Sequence, residues 1–109
     1  MIHVLDALVV RPDHLAEVRA RVRDVYEPVV EALGAQLANT WIAPPVELHD
    51  DPIELLLLWE YADTAAYWHM RRGAAGSEAV LAFWRDLDPL LVGRSRRIMV
   101  DPDDTSVLR

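Results

Sequence analysis

Between Ile53 and Tyr61 the chain is apolar almost without interruption, reading I-E-L-L-L-L-W-E-Y. Side chains alternate along a strand, so Leu55, Leu57 and Trp59 fall on one face and Leu56 and Leu58 on the other. A strand with water on one side alternates apolar and polar positions, whereas a continuous run is apolar on both. The remaining pattern supplies helix for a single layer. The second face of this strand therefore calls for another cover, and a second copy of the chain is the economical one.

Ile2–Val10 reads as a first strand, ended by Arg11-Pro12-Asp13. Pro12 suits a helix entry and Asp13 a cap. A helix follows to about Leu33, with Leu15, Val18, Val22, Val25, Val29 and Leu33 recurring at three- and four-residue steps as one stripe. Glu17 and Arg21 sit four apart on the opposite side. Pro28 lies inside this helix and predicts a bend or break near residues 24–26. Gly34 closes it. A second strand spans 35–43, and after Pro44-Pro45 a polar turn at His49-Asp50-Asp51-Pro52 makes a hairpin with the apolar run. Asp63 caps a second helix over 64–72, ended by Gly73. Ser77 caps a third, with Val80, Leu81, Trp84 and Leu87 as its buried stripe. The last strand spans 93–100, with Ile98 and Val100 on one face, and 101–109 is an acidic tail.

The order β-α-β-β-α-β over residues 1–100 predicts one α+β domain of ferredoxin-like class, a four-stranded antiparallel sheet with helices on one face. Four strands of ordinary length leave a bare face on the order of 350 Å². A patch of that size is at the limit for a soluble monomer, so face-to-face homodimerisation is expected.

Composition narrows the chemistry. The 109 residues hold no cysteine and no lysine, and all eleven basic residues are arginine. Disulfides, thiolate catalysis, Cys-ligated zinc and Schiff bases are excluded together. The formal charge of −7 argues against a phosphate backbone as partner. The arginines form two small groups, Arg19/Arg21/Arg23 and Arg94/Arg96/Arg97, the first expected to be a solvated helix face paired with neighbouring acids. The opening segment is broken by Asp6 and reads as a strand rather than a leader peptide. No apolar run reaches the roughly 20 residues of a membrane span. A cytoplasmic protein is expected.

Several residues together resemble a known family. Arg11-Pro12 after the first strand, Pro28, Gly34 before the second strand, Trp41 within it, Leu58-Trp59-Glu60-Tyr61 leading into an alanine-rich helix, and the Phe83-Trp84 pair are similar to the NIPSNAP-type branch of the dimeric α/β-barrel superfamily. The likeness covers residues 1–100. It implies two sheets closing into a shared barrel, with each subunit's pocket between its sheet and its helices. Relatives on this fold include cofactor-free monooxygenases and cyclases of antibiotic and polyketide pathways, isomerases, haem-handling proteins and members without known activity, so the fold does not settle function. The Tyr-Glu-x-Arg opening common in the branch is His3-Val4-Leu5-Asp6 here. Met70-Arg71-Arg72-Gly73 stands near where some relatives carry His-Pro-x-His. Catalytic residues do not transfer directly.

Candidate residues must come from this chain's own pattern. His69, within Tyr67-Trp68-His69-Met70, could move a proton near neutral pH if it faces a pocket; on the outer side of its helix it is a surface histidine. Tyr67 and Tyr26 lie on or near buried stripes, where a phenol orients a polar substrate or simply packs. Asn39, on the same strand face as Trp41, could hold a carbonyl or enolate oxygen through its amide. Asp6 and Glu60 are acids in apolar strands: an ion pair with Arg94, Arg96 or Arg97 is the plain account, and a carboxylate acting as base the sharp one. Trp41 and Trp59 could wall an aromatic pocket or fill a core. The four histidines are scattered with no ligand spacing, so no metal and no cofactor is expected. Two functions stay open. One is a homodimeric enzyme of secondary metabolism or catabolism that performs cyclisation, isomerisation or cofactor-independent oxygenation on an apolar or aromatic molecule. The other is a non-catalytic module that binds a small ligand or a protein.

Overall fold

The computed structural model describes residues 1–46 and 51–104. Strand β1 is Ile2–Val10, followed by a 3-10 turn at Pro12–His14 and helix α1, Leu15–Arg21. A π-helical turn, Val22–Tyr26, joins α1 to α2, Glu27–Ala32. Strands β2 (Gln36–Ala43) and β3 (Ile53–Tyr61) precede helices α3 (Thr64–Ala75) and α4 (Glu78–Leu87). A 3-10 turn, Asp88–Leu90, leads into β4, Leu91–Val100. The sheet is antiparallel in the order β2-β3-β1-β4, the ferredoxin-like arrangement. Its thin dimension of 18 Å corresponds to one sheet and one layer of helix.

The alternation expected of β3 is realised. Ile53, Leu55, Leu57, Trp59 and Tyr61 are buried under the helices, while Leu56 and Leu58 are half-buried on the other face. In β1 the same rhythm buries Ile2, Val4, Asp6, Leu8 and Val10. Burying each large aliphatic side chain contributes about 1.5–3 kcal/mol, so the helix-covered face carries the fold. The polar turn at His49-Asp50 falls outside the described residues.

Pro28 neither breaks nor sharply ends the first helix. It cannot donate a hydrogen bond back to the preceding turn, and the chain widens instead, with Glu27 N–H bonded to the Val22 carbonyl. The wider turn moves the stripe by one position. Val18, Val22, Tyr26 and Val30 are buried, and Val25, expected inside, is 43% exposed. In α4 the buried residues are Val80, Phe83 and Leu87, whereas Leu81, expected in the stripe, is exposed.

Two of the three expected caps are present: Asp63 accepts from Ala66 N at 2.8 Å and Ser77 from Val80 N at 3.3 Å, whereas Asp13 lies inside the 3-10 turn and makes no capping hydrogen bond. Gly73 does not end its helix, which continues to Ala75. A Cβ at Gly73 would lie 2.7 Å from Leu33 Cδ2, so this glycine marks the close approach of α3 to Leu33 rather than a stop. Gly34 has φ +103°, the left-handed conformation expected of a helix-ending glycine.

Candidate functional site

Asp6 on β1 stands opposite Arg96 on β4, both pointing to the helix-covered face. Arg96 Nε donates to Asp6 Oδ1 at 2.7 Å and its Nη2 to Oδ2 at 3.2 Å. Trp59, diagonal to Asp6 across the β1–β3 pair, donates its indole N–H to Oδ2 at 3.1 Å. Asp6 is 2% exposed, and an unpartnered carboxylate there would cost several kcal/mol. Here both oxygens are satisfied, so Asp6 orients Arg96. Arg96 is the partner among the three arginines considered from the sequence.

The π turn delivers Tyr26 to this pair. Arg96 Nη2 donates to the Tyr26 hydroxyl oxygen at 3.1 Å. The Tyr26 ring stacks on Phe83 at 4.8 Å and meets Trp59 and Trp84 edge-on at 5.6 and 5.2 Å. Burial pushes the Tyr26 phenol above its ordinary pKa; nearby Arg96 opposes this and Asp6 adds to it. Tyr26 is therefore a neutral hydrogen-bond donor at physiological pH. Burial works against the charge on Arg96, but the bonds to Asp6 prevail and hold its pKa above the usual guanidinium value.

Above this network lies an open cleft of about 410 Å³. Tyr26, Arg94 and Arg96 form its floor; Met70, Arg71, Ala74 and Ala75 of α3 and Val80, Leu81 and Trp84 of α4 form its walls. Arg94 lies over the Trp84 ring, 4.3 Å from its centroid, and its Nε is 3.0 Å from Asp88. A smaller cavity of about 140 Å³ shares Trp84, Arg94 and Arg96 and reaches Asp6. A wider apolar groove of about 550 Å³ runs along Pro12, Leu15, Ile42, Pro44 and Ile53, without a titratable group among its described lining residues.

The eight residues singled out from the sequence separate by face. Tyr26, Asp6 and Trp59 meet in the network. Tyr67 is buried but packs edge-on against Tyr61 at 5.4 Å and does not line the cleft. His69 is exposed on α3, because Tyr67 and Met70 take the inward positions of that turn. The sequence had allowed it to face a pocket, but it lines none of the cavities described among these residues. Asn39 and Trp41 pair with Leu58 and Leu56, and so lie with Glu60 on the bare face, across the sheet from Tyr26. Glu60 is partnered by a histidine rather than an arginine: its Oε2 is 3.0 Å from His3 Nδ1. The other nitrogen of His3 is 3.2 Å from Asp101 Oδ1. Among the described residues no group of three or more His, Asp or Glu side chains could hold a metal ion. No helix among them is long and apolar enough to cross a membrane.

Sequence reasoning did not single out Arg71, Arg94 or Arg96 as site residues; Arg94 and Arg96 entered only as candidate ion-pair partners of the strand acids. The available signal for β4 was Arg94-Ser95-Arg96, two like charges on one strand face in a strand that could pair with one carrying Asp6.

Comparison with solved structures places this fold. A NIPSNAP domain protein from Burkholderia xenovorans superposes with a TM-score of 0.74 at 15% identity, over 95% of this chain and 97% of that one. A NIPSNAP family protein from Agrobacterium tumefaciens gives 0.71 at 23% identity, over 99% and 90%. A proposed antibiotic biosynthesis monooxygenase from Nitrosomonas europaea gives 0.64 at 14% identity, over 94% and 99%. The structural neighbours are thus NIPSNAP proteins and proteins of the antibiotic-monooxygenase fold, as the sequence resemblance implied. No family model and no curated protein sequence matches the chain.

Proposed function

We propose that this chain is a homodimeric small-molecule enzyme acting on a largely apolar, ring-containing substrate in the cleft between α3, α4 and the sheet. The observation that carries this reading is the Tyr26–Arg96–Asp6–Trp59 network at the floor of an open cleft. Several structural neighbours, described as antibiotic biosynthesis monooxygenases, support the direction. Tyr26 donates to a substrate carbonyl or phenol oxygen while Arg96 stabilises the negative charge that develops there. Asp6 and Trp59 hold Arg96 in place. Isomerisation, cyclisation and cofactor-independent oxygenation all pass through the enolate of such a substrate; the hydrogen bonds from Tyr26 and Arg96 lower its cost, and the released proton leaves to bulk water through the open mouth of the cleft.

The dimer forms through the bare sheet face. Leu5, Ala7, Val9, Leu56, Leu58 and Trp41 make its apolar centre, with Glu54 and Glu60 on β3 and Arg97 on β4 at the rim. A second reading, a non-catalytic small-ligand carrier, is favoured by one feature: the cleft lining holds neither a carboxylate nor an imidazole to accept a proton.

Assaying a panel of naphthols and anthrones by oxygen uptake and product mass separates the two readings. Turnover that falls about 10²-fold or more in Tyr26→Phe is expected for the enzyme. Saturable binding without turnover, unchanged in Tyr26→Phe, would establish the carrier instead.

A further inference from the structure

The cleft is electrostatically opposite to the molecule that carries it. The chain has a formal net charge of −7, yet the charged residues lining the cleft are Arg71, Arg94 and Arg96. Two of these have acidic partners, Arg94 with Asp88 and Arg96 with Asp6. Arg71 has none among the described residues. It follows the buried Met70 on α3 and acts electrostatically on the Tyr26 phenol across the cleft.

Arg96 also has capacity to spare. A guanidinium carries five N–H donors in a planar fork. The bonds to Asp6 and Tyr26 engage Nε and Nη2 and leave both hydrogens of Nη1 without a protein acceptor among the described residues. Immobilised by Asp6, this nitrogen costs little ordering when a ligand arrives, and each of its N–H groups can make a charge-assisted hydrogen bond to a carboxylate oxygen. Opposite it, Val80, Leu81 and the Trp84 ring form an apolar and aromatic wall.

Building on the cleft as the ligand site, we propose that its ligand is an aromatic carboxylate. The acid group is held by Arg71 and Nη1 of Arg96, and the ring lies against Trp84. A neutral ring of the same shape would leave Arg71 uncompensated and forgo the charge-assisted hydrogen bonds, which are about twice as strong as neutral ones.

The test uses the purified full-length protein and two probes of similar shape, 1-naphthoate and neutral 1-naphthalenemethanol, with binding read by calorimetry at low and high salt. The expected result is that naphthoate binds at least about 10-fold tighter than the alcohol and loses affinity as salt rises. Arg71→Gln should remove most of that preference while leaving the alcohol unaffected. Arg85→Gln, which removes a charge paired with Asp86 outside the cleft lining, should change neither. Equal affinity for both probes, or naphthoate binding that is indifferent to Arg71→Gln, overturns the anion assignment and leaves the cleft as a site for neutral ligands. Failure of both probes to bind overturns the cleft reading itself, and the anion assignment with it.

Discussion

The two faces of the sheet are built from the same strands and differ by one residue of register. On the helix-covered face β1 and β4 contribute Asp6 and Arg96, hydrogen-bonded to Trp59 and Tyr26 at the floor of the cleft. On the bare face the adjacent positions Leu5, Ala7 and Arg97 stay accessible, and the contacts of His3 with Glu60 and Asp101 are at the edge of water. The covered face binds its charges to one another so tightly that each depends on its partner. The bare face keeps its charges at the rim and its apolar groups in the middle, which is the composition of an interface rather than a site.

The sharpest break in this comparison is Asp6→Ala. Removing one partner of a buried pair leaves the other charge unpaired, and a loss of about 3 kcal/mol in unfolding free energy is expected, at the low end because Arg96 retains some contact with water. Urea denaturation measures it; a loss under about 1 kcal/mol would mean that the network contributes little to the fold.

Leu58→Arg probes the other face. The folded monomer should survive with near-normal stability, while self-association weakens by at least about 100-fold, or roughly 2.7 kcal/mol. Sedimentation velocity reads this directly. A wild-type protein that stays monomeric at high concentration would remove the proposed role of the bare face altogether.

The smallest effect is alkaline. Burial raises the pKa values of Tyr26 and Tyr61 above that of an unfolded tyrosine, about 10. A group whose folded pKa is raised contributes stability that is fully present below its unfolded value and is lost as pH climbs through the folded one. Each tyrosine then costs up to about 1.4 kcal/mol per pH unit above pH ~10. Tyr26→Phe should flatten part of that decline, and urea titrations from about pH 9 to 11 would reveal an unaltered slope if burial of Tyr26 were not its source.

Much of the architecture was legible from local rules. The unbroken run in β3 gave both its bounds and its two apolar faces, and Asp63 and Ser77 announced their helices. Pro28 signalled a disturbance in the first helix but not its form. A break and a widened turn both accommodate a missing donor, and only packing chose the turn that buries Tyr26 and exposes Val25. Gly73 looked like a stop because a local rule cannot see Leu33 approaching from another helix.

The sequence alone determined the class of fold, the single helix layer and the absence of thiol and amine chemistry, because periodicity and residue inventory are properties of the chain itself. The tertiary structure decided the site. Asp6 and Arg96 are 90 residues apart and Tyr26 and Arg96 70, and their meeting depends on strand register and on one extra residue in a helical turn. Pairing over such distances is fixed by the packing of the whole domain, which no short window of residues contains.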